Sequence, residues 1–245
     1  MTPLAPPPAP TEAPAPVQPI RLPDRRGLPA GTRLLYLDVT WAEYVALRRS
    51  PAADRLKITF DGPTGRLEVE MPQGPRHESV SRMLSYFVMA FRRAGGPPFR
   101  SAGAVTLRRA DLARGAEPDE SFYVKNIDAA PDLDGNALDL TDGSPPPDVC
   151  VEVDVTSPGV SKLPIYAALG VPEVWVWDEA AGTLTVRRLA GDAYEEAAGS
   201  GELPGFPVAE AAALLADRGG RDDGALQEAF EAVLRGVGPL SPAAG

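Results

Sequence analysis

Val149-Cys150-Val151-Glu152-Val153-Asp154-Val155 alternates without a break. Successive side chains of a β-strand point to opposite faces, so the valines share one face and Cys150, Glu152 and Asp154 share the other. A β-branched face of this kind fits a strand buried in a sheet. Glu152 and Asp154 then stand about 6.6 Å apart on one side of a core strand. An unpaired buried carboxylate is costly, so such a pair calls for a metal, a basic partner or solvent at a cleft. Beyond the strand, residues 161–169 read as a short helix that Gly170-Val171-Pro172 ends, and Glu173-Val174-Trp175-Val176-Trp177 resumes a strand. Strand, helix and strand in succession point to a sheet with helices packed on it.

Lys162 falls in the first turn of that helix, because Pro164 fits only near a helix start. The helix dipole favours anions there, and the lysine adds to it, which makes a place for a phosphate or another oxyanion. Upstream, Glu117-Pro118-Asp119 brings a further acid to the start of a strand near 121–124. Carboxylates at strand ends with an amine reaching over them suit metal-assisted hydrolysis of a phosphodiester. In that chemistry a metal bridges the acids and activates water, while the lysine positions the nucleophile or offsets developing charge.

Further out, Thr40 and Glu43 form a capping box for a helix that turns Tyr44 and Leu47 inward. Residues 56–60 and 67–71 flank Asp61-Gly62 and Thr64-Gly65, the pattern of a hairpin. The longest helix runs from about His77 to Ala94 with Val80, Met83, Leu84, Phe87, Val88 and Phe91 on one stripe. A strand is expected near 104–108, a loop over 126–147, a hairpin return over 183–189, and helices near 207–216 and 223–235. No internal repeat is visible. The fold class is mixed α/β, a mixed sheet with flanking helices.

Residues 1–30 hold ten of the 28 prolines and almost no large apolar side chains, so they read as a disordered, partly polyproline tail. The folded domain is expected over 31–217, with a helix and tail over 218–245. The net charge is −10, which makes the chain a poor general binder of nucleic acid. Local charge differs: Arg100, Arg108, Arg109 and Arg114 stand against Asp111 alone, just before Pro118-Asp119. These arginines are either solvated or set to contact phosphates, and pairing two copies of the chain as a homodimer would join two such stretches. The single cysteine, Cys150, excludes an intrachain disulfide and reads as a small buried residue rather than a reactive thiol. With no leader pattern and no apolar run of about 18 residues, the expectation is a cytoplasmic protein with no membrane partner.

Several of these segments together resemble one family. Glu117-Pro118-Asp119-Glu120-Ser121-Phe122-Tyr123, the stretch from Pro147-Asp148 to Thr156-Ser157, and residues 162–175 are similar to the Uma2 endonucleases of the PD-(D/E)xK superfamily. Met71-Pro72 and Arg76-His77-Glu78 extend the resemblance, which covers roughly 36–216. It implies a restriction-endonuclease-like sheet flanked by helices, dependence on Mg²⁺ or Mn²⁺, and hydrolysis of DNA. It also implies that Asp119 is the aspartate of the first motif, that Glu152 is the acid of the second, and that the Val153 carbonyl is a further metal ligand. The superfamily's lysine stands two residues after that acid, where this chain has Asp154; Lys162 takes the role instead. His77, Glu78 and Asp154 become supporting groups.

Each residue has a plainer reading. On it, Asp119 is a turn residue, Glu152 and Asp154 are a solvated strand edge, Lys162 is a surface residue and His77 a structural histidine. Glu68 and Glu70 alternate with Leu67, Val69 and Met71, which reads as an exposed face; Trp175 and Trp177 read as packing. At the level of function the rivals are a non-catalytic nuclease-fold module that binds nucleic acid or a protein, and a glycosidase using Glu152 with a second acid.

Overall fold

The capping box at Thr40 forms as expected: its hydroxyl accepts from the Glu43 N–H at 3.3 Å, and the Glu43 carboxylate accepts from the Thr40 N–H at 2.8 Å. This fixes the start of α1 (Trp41–Arg48). The computed structural model describes residues 17, 19–24, 26–132, 137–154 and 160–236, without the side chain of Asp154. Of the expected N-terminal tail, 1–16 lie outside the described residues, as do Val155 and the end of the C-terminal tail. Within the rest of that segment, Ile20, Leu22 and Leu28 pack against the core beneath α1.

The described residues form two six-stranded sheets. The first contains β1 (Arg33–Tyr36), β2 (Lys57–Asp61), β3 (Arg66–Glu70), β5 (Thr106–Arg109), β6 (Arg114–Ala116) and β8 (Ala137–Asp139), in the order β1-β3-β2-β6-β5-β8. The second contains β4 (Arg100–Ser101), β7 (Glu120–Tyr123), β9 (Val149–Asp154), β10 (Glu173–Asp178), β11 (Thr183–Ala190) and β12 (Ala193–Ala197), in the order β12-β11-β10-β9-β7-β4. Both are mixed: β5 with β8 and β9 with β10 are parallel pairs, and the other pairs are antiparallel. The remaining helices are α2 (Pro75–Arg93), α3 (Leu163–Leu169), α4 (Val208–Ala216) and α5 (Asp223–Leu234). The mixed α/β architecture with flanking helices is borne out.

β9 divides its faces as its alternation requires. Val149, Val151 and Val153 join Trp175 and Trp177 in a core covered by the stripe of α2 and by α4 and α5. Cys150 lies on the opposite face, in a second core made with Ile165, Tyr166 and Leu169 of α3 and with Leu107 of the first sheet. Each fully buried Val, Leu or Phe contributes roughly 1.5–3 kcal/mol relative to exposure. Glu152 therefore points toward α3 and the first sheet. Burial also pushes the Cys150 thiol well above its usual value, in keeping with an inert packing residue.

The hairpin of β2 and β3 pairs Lys57 with Glu70 and Thr59 with Glu68. Ile58, Phe60, Leu67 and Val69 fill the core under α1, which leaves Lys57, Thr59, Glu68 and Glu70 on the other face. The expectation that Glu68 and Glu70 are exposed is corrected here, since they are only 3% and 5% accessible. Val160, shortly before α3, reaches this face, and its N–H donates to Glu68 at 3.0 Å. Arg33, opposite Glu70 on β1, lies 3.4 Å from Glu70 and 3.9 Å from Glu68.

Candidate active site

Residues on or next to β2, α2, β7, β9 and α3 converge at one place. Asp119 directly precedes β7, and its backbone N–H donates to the Val151 carbonyl at 2.9 Å, which locks it beside β9. One carboxylate oxygen, Oδ2, accepts from the Val153 N–H at 2.7 Å and faces Nε2 of His77, on α2, at 3.2 Å. The other, Oδ1, is paired with Lys57 Nζ. Ser81 of α2 donates to the Asp119 carbonyl at 3.2 Å. Burial pushes this carboxyl up, but the His77 hydrogen bond and the charges of Lys57 and Lys162 outweigh it and hold the pKa below the usual carboxylate range.

Glu152 accepts from Lys162 at 2.7 Å through Oε2 and from the Tyr166 hydroxyl through Oε1. Its pKa is raised: burial, helped by the nearby Asp119 charge, outweighs the opposing Lys162 ammonium. Lys162 occupies the position just before α3, one step earlier than its expected first-turn place. It also donates to the Glu117 carbonyl at 3.0 Å. Burial would lower its pKa, yet Glu152, Asp119 and Glu70 together raise it above the ordinary lysine value, so it stays an ammonium. With Lys162 engaged by a carboxylate and a carbonyl, the expected oxyanion site at this helix start is an ion-pair centre, and α3 spans only 7 residues. Tyr166 is held protonated by burial and by the Glu152 charge.

The structure thus joins Asp119, Glu152, Lys162 and His77, and adds Lys57, Glu117 and Tyr166, which sequence reasoning did not assign. Glu78 is exposed and lies on the wall of a cavity of about 620 Å³ that Lys57 and Glu117 also line. Asp154 ends β9, and its side chain lies outside the described residues. The Glu117 side chain binds Arg48 at 3.2 Å and accepts from Thr106 at 3.0 Å, so it braces the wall between the sheets. Asp148, buried beside Cys150, accepts from Val124 N–H, Asn126 N–H and Asn126 Nδ2, which makes it a structural tie for the loop after β7.

A divalent cation of the Mg²⁺ type needs oxygen ligands and is often held by one or two carboxylates, with water completing the shell. Asp119, Glu152 and the Val153 carbonyl fit that donor chemistry. Among the described residues no group of three His, Cys, Asp or Glu side chains stands ready to hold an ion. Both carboxylates are instead paired with lysines, so a cation would compete with Lys57 and Lys162 for them.

The basic run over 100–114 is largely neutralised within the fold. Arg108 pairs with Asp139 at 3.1 Å, Arg109 with Asp111 at 2.6 Å and Arg114 with Asp61 at 2.8 Å. No described helix is long and apolar enough to cross a membrane.

No curated protein matches the chain. Among solved structures it is similar to a "putative nuclease belonging to DUF820" from Anabaena variabilis, at 18% identity and a TM-score of 0.45, over 64% of this chain and 83% of that one. The family model described as "Putative restriction endonuclease" matches residues 41–213, a span that contains both sheets' site residues, α1 to α3 and the first part of α4. The chain belongs to the Uma2 family.

Proposed function

We propose that the protein is a metal-dependent endonuclease that hydrolyses phosphodiester bonds in DNA. The observation that carries this reading is the convergence of Asp119, Glu152, Lys57 and Lys162 beside an open cavity. Asp119 and Glu152, with the Val153 carbonyl, would hold Mg²⁺ or Mn²⁺. When bound, the ion would polarise the phosphate and lower the pKa of a coordinated water.

The chain's own residues supply the rest. Asp119, with its depressed pKa, stays anionic and keeps His77 and Lys57 in place. Lys162 is held as an ammonium, which rules it out as a proton acceptor near neutral pH and suits it to offset negative charge on the phosphate. Tyr166 fixes the orientation of the Glu152 carboxylate. Replacing Asp119 or Glu152 with Ala should abolish DNA cleavage while circular dichroism stays native. Lys162→Met should lower kcat more than it weakens metal binding measured by calorimetry. Full turnover in either acid variant would overturn the assignment.

A specific observation favours a second reading, a nuclease-fold module that binds without cutting. Both carboxylates are already neutralised by lysines, no three-group cation cluster exists among the described residues, and position 154 carries Asp in place of the superfamily's lysine. Metal binding with no cleavage of any DNA or RNA would select it.

A further inference from the structure

The cavity beside Lys57 has a wall of different charge from the rest of this acidic chain. It is formed by the end of α1 and the segment leading into β2, and presents Arg48, Arg49 and Arg55 in addition to Lys57. Arg48 is committed to Glu117 and Lys57 to Asp119. Arg49 and Arg55 are both exposed, and among the described residues neither has a hydrogen-bonding or ion-pair partner. Asp54 and Glu78 line the cavity as well, and Asp54 has a partner of its own.

Among the described residues, Arg55 is also one of three non-glycine residues with positive φ, at 61°. A left-handed backbone is unfavourable for a long side chain and persists where the surroundings require it, often at a binding site. Here it turns the chain between two buried residues, Ala53 and Leu56, and holds the Arg55 side chain out on the cavity wall. Two unpaired guanidiniums on the wall that carries Lys57 are suited to phosphate oxygens.

We infer that Arg49 and Arg55 are the phosphate-binding residues that seat the nucleic-acid strand next to the cleavage site, in place of the arginines at 100–114. This inference rests on the reading of the site as one that acts on nucleic acid. The ligand chemistry is the phosphodiester backbone of an unpaired strand, read without regard to base. A cavity of about 620 Å³ is pocket-sized rather than a groove for a duplex. Phosphate contacts of this kind position a strand and bring salt dependence, not sequence preference.

The test is fluorescence anisotropy of labelled single-stranded DNA, single-stranded RNA and duplex DNA, in chelator so that no strand is cut, over a series of salt concentrations. The proteins are the wild type, Arg49→Gln/Arg55→Gln, and Arg108→Gln/Arg109→Gln as the control. The first double variant should bind single strands on the order of 10- to 100-fold more weakly at 50 mM salt, with the slope of log Kobs against log salt smaller by about 1.4, from about 0.7 per lost contact. The control should match the wild type. Whether DNA and RNA bind alike tells which strand the shared backbone contact serves. Unchanged affinity and slope in Arg49→Gln/Arg55→Gln, an equal loss in the control, or no binding by the wild type would overturn the inference. Plasmid cleavage scored on the same proteins keeps the two claims apart. Cleavage with unaltered binding in the double variant sinks only the role of Arg49 and Arg55. Arginine-dependent binding with no cleavage by the wild type sinks only the nuclease.

Discussion

Lys162→Met removes the ammonium while keeping most of the side chain's length. In the wild type that ammonium lies 2.7 Å from Glu152, and the two side chains are 13% and 14% accessible. Breaking a buried pair by deleting one partner costs about 3–5 kcal/mol, because the remaining charge is left desolvated. Glu152 would keep only the Tyr166 hydroxyl and would still feel Asp119. Its escape is to take up a proton. Glu152 already has a raised pKa, and losing Lys162, which opposes that rise, pushes it further up. An acid whose folded pKa exceeds its unfolded value binds more protons when folded, so stability falls as pH climbs from the unfolded value toward the folded one. The variant should therefore lose about 3–5 kcal/mol near pH 8. With a urea slope of about 3 kcal/mol/M, the midpoint would drop by about 1–1.7 M. The deficit should shrink as pH is lowered toward 5, because protonation relieves the buried charge. Urea titrations of both proteins at several pH values measure it. A loss below about 1 kcal/mol at pH 8, or one that does not change with pH, would refute the reasoning.

Other outcomes follow from the same geometry. Tyr166→Phe removes a hydroxyl donor to a carboxylate and should cost about 1.5–3 kcal/mol in urea unfolding, with no loss of secondary structure. Asp119→Asn should be less stable than the wild type at pH 7. Because the Asp119 pKa is depressed on folding, its contribution is present above its ordinary value of 3.8 and lost as pH falls, so the two acid-unfolding curves should converge below about pH 3.8. A methyl at Gly115 would collide with the Tyr44 hydroxyl, which is itself buried and, among the described residues, has no partner. Gly115→Ala should thus cost about 1–3 kcal/mol. Tyr44→Phe alone should be near neutral, and should recover only part of that loss in the double variant, because the added methyl also meets the ring's Cζ at 2.9 Å; thermal unfolding reads both.

Much of the fold was legible because it depends on local pattern. The alternation of β9, the capping box of α1, the β2–β3 hairpin and the stripe of α2 are each decided by neighbours within one element. The strands that escaped notice, β1, β4, β6, β8 and β12, are 4, 2, 3, 3 and 5 residues long, and β8 lies inside a stretch rich in Asp, Pro and Gly. Such short segments carry too little periodicity and are held by their partners across the sheet. At the site, Asp119, Glu152 and Lys162 stood out because charge interrupts an apolar context. Lys57, Glu68 and Glu70 did not, since a polar hairpin face looks the same whether it meets water or another polar surface. The cue was there in the opposition of Lys57 and Glu70 across the hairpin. One contact on that face, Val160 with Glu68, joins residues 92 positions apart, too far for any local pattern to show. The pairing of Arg108 and Arg114 was hidden for the same reason: their partners Asp139 and Asp61 come from distant strands.

The central claim is tested most directly by incubating supercoiled plasmid and single-stranded DNA with wild type and Glu152→Ala in parallel, at low salt, with Mg²⁺, with Mn²⁺ and with chelator. The expected result is nicking by the wild type that requires the divalent cation and vanishes in the variant. Cleavage that persists in Glu152→Ala, or none by a folded wild-type protein shown to bind the metal, would contradict the assignment of this site as a nuclease centre.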